Sequence, residues 1–280
     1  MLQDADRAME EDKKENKENK DAGKREKEKT VIDGTMCIWI GDCHPKYMLL
    51  QPMEKEAFET LAAEAGLIKK EVSVPFCIIG IAVESWNQDL SPWEAEPVFG
   101  QEKFGGQAAA FLERIEIVLL PKLFLEHGKD GITADLPVLL GGYSLAGLFA
   151  LWAVYQSERF CGVAAVSPSV WFPNWMAYVK THIPHVKKAY FSLGDREEKT
   201  KNRTMAVVGE NIRTMQEVLQ PFMPKQNHIL EWNKGNHFKN TIERTARGFV
   251  WLLNEFEKNN ISENRKGNIE TKKTEKTVDQ

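Results

Sequence analysis

Short apolar runs alternate with helix-like segments through the middle of the chain. The apolar runs have the length of strands and lie at residues 35–40, 75–83, 136–143, 162–167, 188–193 and 228–232. The segments between them predict helices, most clearly where apolar residues recur at three-to-four spacing. These segments lie at residues 54–65, 107–120, 204–219 and 242–256. The alternation predicts an α/β fold with a largely parallel sheet of about six strands, covered by helices on both faces.

The run at 136–147 ends in a pattern typical of a nucleophile elbow. Its sequence is LPVLLGGYSLAG, with Gly142 two residues before Ser144 and Ala146 two residues after it. A serine on a tight strand-to-helix turn needs small residues at both positions. The pattern predicts Ser144 as a nucleophile and the backbone N–H of Leu145 as an oxyanion donor. The alternative is that Ser144 serves merely as the N-cap of the following helix.

Three carboxylates follow the predicted strand at 188–193, and one of them could orient a histidine. The segment reads Gly194-Asp195-Arg196-Glu197-Glu198. A triad acid must leave its strand on a turn and stay ionised beside the imidazole. Glu197 is our first choice because it stands three residues beyond the glycine that ends the strand. Asp195 is the second choice and Glu198 the third.

His237 lies in a polar turn, residues 233–238, between the last predicted strand and a long helix. An imidazole with an ordinary pKa of about 6.5 can take a proton from a serine and return it to a leaving group. His237 is therefore the predicted general base. Serine, acid and histidine then follow one another in the chain order of the α/β-hydrolases. The alternative role for His237 is to cap the helix that begins near Lys239.

The chain resembles the esterase family of the α/β-hydrolases that includes esterase D and the enterochelin esterases. The resemblance covers residues 35–257 and is carried by the elbow, by the order of the three residues and by segments at 105–106, 167–173 and 236–238. It implies an α/β-hydrolase fold and ester hydrolysis through an acyl-enzyme, with no cofactor and no metal.

The chain departs from this family near its start. Family members usually begin with antiparallel strands, and the charged N-terminus predicts that these are missing here. They also take a second oxyanion N–H from the turn after an early strand, often at an Asp-Gly pair. Here the strand at 35–40 leads into Gly41-Asp42, the reverse order. Cys43 is the predicted donor and His44 the second choice, unless this turn only connects two elements.

Loops at the carboxyl ends of strands predict an aromatic cleft, because open α/β sheets bind ligands there. Trp86 and Asn87 follow one predicted strand, Trp171 follows another, and Tyr143 directly precedes the serine. These four are the predicted substrate-binding residues, although such aromatic side chains can equally cover the core. These loops contain no cluster of Arg or Lys that would indicate a highly anionic siderophore as the substrate.

Composition and charge are consistent with one enzyme-sized domain. The chain has 280 residues, 42% of them hydrophobic, and a net charge of −4, which gives no electrostatic reason to expect nucleic acid or an anionic membrane as partner. We predict a hydrolase domain at 31–257 between charged tails, at 1–30 (disordered or helical) and at 258–280 (disordered). Four scattered cysteines, with no secretory signal and no membrane-spanning run, predict a cytoplasmic protein. The oligomeric state stays open.

The sequence thus predicts a serine hydrolase that acts on a small-molecule carboxylic ester. Two alternatives stay open. An acyltransferase would use the same three residues with an alcohol in place of water. A noncatalytic binding module would keep the aromatic cleft and leave Ser144 unreactive.

Overall fold

The computed structural model describes residues 24–98 and 100–258, the side chains of 24–27 excepted. Eight strands form one sheet: β1 (Lys24–Ile32), β2 (Thr35–Asp42), β3 (Tyr47–Met53), β4 (Phe76–Ala82), β7 (Val138–Tyr143), β8 (Phe160–Val166), β9 (Lys188–Gly194) and β10 (His228–Asn233). Their order in the sheet is β1-β2-β4-β3-β7-β8-β9-β10. The two-residue strands β5 (Glu94–Ala95) and β6 (Phe104–Gly105) pair separately. Strand β2 is antiparallel to both neighbours, and the remaining adjacent pairs are parallel.

Helices cover both faces of this sheet, as the alternation predicts. They are α1 (Leu61–Glu71), α2 (Trp86–Asp89), α3 (Ala108–Arg114, continued through a π-helical segment at Ile115–Leu119 and Leu120–His127), α4 (Leu145–Gln156), α5 (Trp175–Val179), α6 (Arg203–Ala206), α7 (Val208–Leu219) and α8 (241–258). Side chains of α3, α4 and α7 pack into the core on one face of the sheet. Those of α1 and α8 pack into the core on the other. In the ranges described, no helix is both long and apolar enough to cross a bilayer.

The N-terminal strands that we expected to be missing are present, so the prediction of about six strands is wrong. β1 and β2 form an antiparallel hairpin whose turn is Asp33-Gly34, both at positive φ (50° and 81°). An Asp-Gly turn of this kind favours a two-residue hairpin. β1 lies at the edge of the sheet, where charged side chains can remain in water. It begins at Lys24, inside the segment predicted as a tail, and residues 1–23 and 259–280 lie outside the described ranges.

β3 is the second strand that the sequence analysis overlooked. It lies between β4 and β7 in the middle of the sheet, and all seven of its residues are buried. Gln51 and Pro52 interrupt its apolar run, and the four residues at 43–46 are all that separates it from β2. The strand predicted at 35–40 is β2, and the position of the early strand before the predicted oxyanion turn belongs to β3.

A close approach between helix α8 and β7 yields a test of the packing. A Cβ atom on Gly141 would lie 2.3 Å from the Phe249 ring of α8, a fully buried side chain. Gly141→Ala should lower the free energy of unfolding by about 1–3 kcal/mol, because the ring has to move within a packed core. Gly66→Ala is the matched control: Gly66 is an exposed residue of α1 with no atom near its would-be Cβ. This change should raise the stability by about 0.5–1 kcal/mol. Urea denaturation measures both, and equal effects would contradict the packing described.

Candidate active site

The turn between β7 and α4 holds Ser144 in a backbone conformation that few residues adopt. Its φ and ψ are 60° and −120°. The Ser144 N–H donates to the carbonyl oxygen of Val166, at 3.0 Å, which ties the turn to the end of β8. A Cβ atom on Gly142 would lie 2.3 Å from the backbone oxygen of Ala146, so glycine is required at that position. Strain of this kind costs about 1–3 kcal/mol and persists where the surrounding structure enforces it.

His237 lies beside Ser144 on the loop between β10 and α8. Its Nε2 is 3.0 Å from the Ser144 Oγ, and its Nδ1 is 2.7 Å from the Glu197 Oε2. The imidazole therefore joins a hydroxyl on one side to a carboxylate on the other. About a quarter of the His237 side chain is exposed (27%), which leaves the ring accessible from the cleft.

Glu197, in the loop after β9, is buried and surrounded by hydrogen-bond donors. Its Oε1 accepts the Gly194 N–H at 2.6 Å, the Ser167 hydroxyl at 2.6 Å and the Arg244 Nη2 at 3.0 Å. Burial alone would raise the pKa of this carboxyl. Hydrogen bonds from His237, Ser167 and Gly194, with the charge on the imidazole, outweigh burial and hold the pKa below its usual value. Glu197 is thus an ionised carboxylate at neutral pH.

Arg244 connects the buried carboxylate to the histidine loop. Its guanidinium is 2% exposed and forms the ion pair with Glu197. Its Nη1 donates to the Tyr143 hydroxyl at 2.8 Å, and that hydroxyl donates to the His237 carbonyl oxygen. Arg244 has no role in the sequence analysis, and Ser167 enters it only as the first residue of the segment at 167–173. Their contacts with Glu197 depend on how α8 and the end of β8 meet in the folded chain.

The other two carboxylates of the 194–198 segment lie elsewhere. Asp195 Oδ1 accepts the Gly235 N–H at 2.9 Å, so its side chain fixes the loop that carries the histidine. Glu198 forms an ion pair with Arg213, at 3.0 Å. Glu197 is therefore the carboxylate that contacts His237, and Asp195 is not.

The turn that carries Cys43 and His44 lies at the opposite end of the parallel strands from Ser144. The prediction that one of these two residues donates an N–H to the oxyanion is therefore wrong. β2 runs antiparallel to β4, so the turn after it lies at the amino ends of the parallel strands. There the His44 N–H donates to the Asp130 oxygen. Ser144 directly follows β7, at the carboxyl ends of the parallel strands. The loop that does reach Ser144 follows β3, at Met53 and Glu54.

A cleft of about 340 Å³ opens over Ser144 and His237. Trp86 and Tyr143 line it, as predicted for substrate-binding residues. Trp171 instead lines a second cavity of about 290 Å³, on the other side of His237. Asn87 contacts neither cavity: it is buried, and its amide donates to Glu102 at 3.2 Å. Its predicted place in the cleft is therefore wrong.

Several residues of the cleft wall carried no signal in the sequence. Phe238 is 85% exposed and borders both cavities, and Gln51 and Glu64 are buried in the wall of the first. Across the described ranges, no three His, Cys, Asp or Glu side chains are grouped so that they could hold a metal ion.

Comparison with known proteins gives matches among solved structures alone. No family model and no curated protein matches the chain. An IroE-like serine hydrolase from Shewanella oneidensis has a TM-score of 0.65 at 14% identity, over 81% of this chain and 80% of that one. The siderophore hydrolase EstA from Aspergillus nidulans has a TM-score of 0.61 at 15% identity, over 82% and 94%. The enterobactin esterase FES from Shigella flexneri has a TM-score of 0.60 at 15% identity, over 84% and 62%.

The chain has the α/β-hydrolase fold. This confirms the predicted fold class and, at the level of fold, the predicted resemblance to enterochelin esterase-like proteins. Within an α/β-hydrolase, the exit loops of the central strands meet at one edge of the sheet. In this chain that edge carries Ser144 after β7, Glu197 after β9 and His237 after β10.

The buried carboxyl of Glu64 yields a pH-dependent prediction. Burial raises the pKa of its carboxyl to about 8, against a smaller lowering by the Gln51 hydrogen bond. The folded state then binds a proton that the unfolded chain releases above pH 4.5. The free energy of unfolding of the wild type, minus that of Glu64→Gln, should therefore fall as the pH rises from 4.5 to about 8. The fall should be up to about 1.4 kcal/mol per pH unit.

Paired denaturation curves of wild type and Glu64→Gln at pH 5, 6, 7 and 8 measure this difference. Other titrating groups contribute equally to both proteins and cancel. A difference that stays constant over this range would contradict the raised pKa.

Proposed function

We propose that this protein is a serine hydrolase that cleaves a small-molecule carboxylic ester through an acyl-enzyme. His237 Nε2 accepts the proton of the Ser144 hydroxyl as Oγ attacks the ester carbonyl carbon. The tetrahedral intermediate collapses when His237 returns that proton to the leaving alcohol. A water molecule then gives a proton to His237, attacks the acyl-serine, and releases the carboxylic acid and free Ser144.

Glu197 serves this reaction by orienting the imidazole and by stabilising its positive charge. Its bond to Nδ1 leaves Nε2 free to accept the serine proton. Asp195 holds the loop in place and has no part in proton transfer.

Two backbone donors are proposed for the oxyanion. Leu145 begins α4 directly after the serine, where its N–H is among the first of the helix and has no partner within it. The second donor belongs to the exit of β3, at Met53 or Glu54, since this loop borders the same cleft as Ser144. Each donor of this type is worth about 100- to 1000-fold in turnover.

The observation that carries the proposal is the continuous hydrogen-bond chain from Ser144 through His237 to Glu197, open to a cleft at the serine end. The cleft volume of about 340 Å³ suits a small molecule. The structures with the same fold include proteins named as esterases and siderophore hydrolases, which supports ester hydrolysis. For this chain we propose a small-molecule ester, with Trp86, Tyr143 and Phe238 as its aromatic contacts.

Replacing the nucleophile tests the reaction. Ser144→Ala should reduce hydrolysis of p-nitrophenyl acetate by at least about a thousandfold, because no other hydroxyl lies within reach of His237 Nε2 among the described contacts. Release of p-nitrophenol at 405 nm measures the rate, and circular dichroism checks folding. An unchanged rate would refute the assignment. Transfer of the acetyl group to added glycerol in preference to water would make the protein an acyltransferase.

A pair of carboxamide variants tests the acid. Glu197→Gln should lower kcat by about 1000- to 10,000-fold, since a carboxamide neither fixes the imidazole tautomer nor stabilises its charge. Asp195→Asn is the matched control and should stay within about tenfold of wild type, because the amide oxygen still accepts the Gly235 N–H. Both are measured with the same ester. A larger loss in Asp195→Asn than in Glu197→Gln would reverse the two roles.

A further inference from the structure

Two buried polar side chains lie in the wall of the cleft below the serine. Gln51 on β3 and Glu64 on α1 are 6% and 2% exposed, and both line the cleft that contains Ser144. Leu50 pairs with Leu140, so Gln51 lies level with the residue three positions before Ser144. At about 3.3 Å per residue, this puts Gln51 roughly 10 Å from the serine along the strand direction, and Glu64 is in contact with Gln51.

The pair does not satisfy its own hydrogen-bonding groups. Gln51 Nε2 donates to Glu64 Oε2 over a long 3.5 Å. Glu64 Oε1 and Gln51 Oε1 have no partner among the described residues. Whichever way the Gln51 amide is turned, a donor and an acceptor of the pair stay unused. Leaving such groups unpaired in a protein interior costs about 1–3 kcal/mol each.

The protonation state of Glu64 indicates what kind of group would complete the pair. Burial raises the pKa of this carboxyl to about 8, so it is mostly uncharged at neutral pH. An uncharged carboxyl offers one O–H donor. The unused groups are then a neutral donor and a neutral acceptor side by side, which match a ligand group that both accepts and donates.

Apolar side chains line the same cleft as this polar pair. Pro52, Met53 and Ile242 contribute apolar surface. The hydroxyls of Thr60 and Thr245, which also line the cleft, already donate to backbone oxygens of their own helical turns, at 2.7 and 2.9 Å.

We propose that Gln51 and Glu64 form a subsite that binds an uncharged hydrogen-bonding group of the substrate, a carboxamide or a hydroxyl, carried on the chain of the ester that Ser144 cleaves. The inference rests on the proposed function, since it names the substrate of the same site. Glu64 donates to the oxygen of this group and Gln51 accepts its N–H or O–H. The two residues select the substrate and take no part in proton transfer to or from Ser144.

Matched ester pairs test the subsite. One pair consists of p-nitrophenyl esters whose acyl chains end in a carboxamide or in an isopropyl group of the same shape. The other pair carries the same two ends on the alcohol of an acetate ester. Chains of about four to eight carbons cover the distance to the pair. In wild type we expect kcat/KM to favour the carboxamide by about 10- to 100-fold in one of the two pairs, mainly through KM.

Variants of the pair separate binding from mere stability. Glu64→Leu and Gln51→Leu should each abolish the preference, whereas Glu64→Gln, which keeps a neutral donor and acceptor, should retain most of it. Thr60→Val is the matched control from the same wall and should keep the wild-type preference. A structural role for Glu64 would change both members of a pair equally and leave their ratio intact.

The outcomes distinguish this inference from the proposed function. Hydrolysis of p-nitrophenyl acetate by wild type, with no preference for the carboxamide in either pair or with a preference that survives Glu64→Leu, would overturn the subsite alone. Absence of all ester hydrolysis would overturn the proposed function and the subsite with it. A preference that Glu64→Leu and Gln51→Leu abolish and Glu64→Gln retains would support the subsite.

Discussion

The strained turn at Ser144 is the constraint on which the site depends. A serine at φ 60° and ψ −120° can be held there because the chain has no room to relax: glycine at 142 lets the turn close, and the ends of β7 and β8 fix it from both sides. The sheet therefore determines where the hydroxyl points. The histidine and its carboxylate come from separate loops and must be brought to that point.

A buried ion pair between Arg244 and Glu197 holds the loops that carry the carboxylate and the histidine. Arg244 contacts Glu197 directly and reaches the backbone of His237 through the Tyr143 hydroxyl, so α8, the β9 loop and the histidine loop form one connected unit. Removing one partner of a buried ion pair typically costs about 3–5 kcal/mol, because the other charge is left without compensation. The loop that carries His237 is therefore more firmly held than its polar composition indicates.

Two buried carboxyls in this site have opposite protonation states. Donors surround Glu197 and keep it ionised, whereas Glu64 has one long contact with Gln51 and burial keeps it protonated. Environment rather than residue type thus separates a group that stabilises an imidazolium from one that can donate a hydrogen bond to a substrate. The proposed reaction uses the first group and the proposed subsite uses the second.

Local signals in the sequence predict those parts of the site whose geometry is local. The glycine and alanine around Ser144 predict the turn, and the order of Ser144, Glu197 and His237 follows the fold. The prediction of the early strands is wrong because β1 is a charged edge strand and because Gln51 and Pro52 interrupt the apolar run of β3. The turn after β2 carries Cys43, which therefore lies at the amino ends of the parallel strands and away from Ser144. Arg244, Gln51 and Glu64 depend on packing between distant elements, which a single sequence does not reveal.

Covalent labelling tests whether this turn presents an activated hydroxyl to a proton acceptor. The protein is treated with a fluorophosphonate at neutral pH, and the adduct is located by peptide mass spectrometry. We expect a single adduct on Ser144, formed far more slowly in Glu197→Gln. An adduct on another residue, or none on a folded protein, would contradict this expectation.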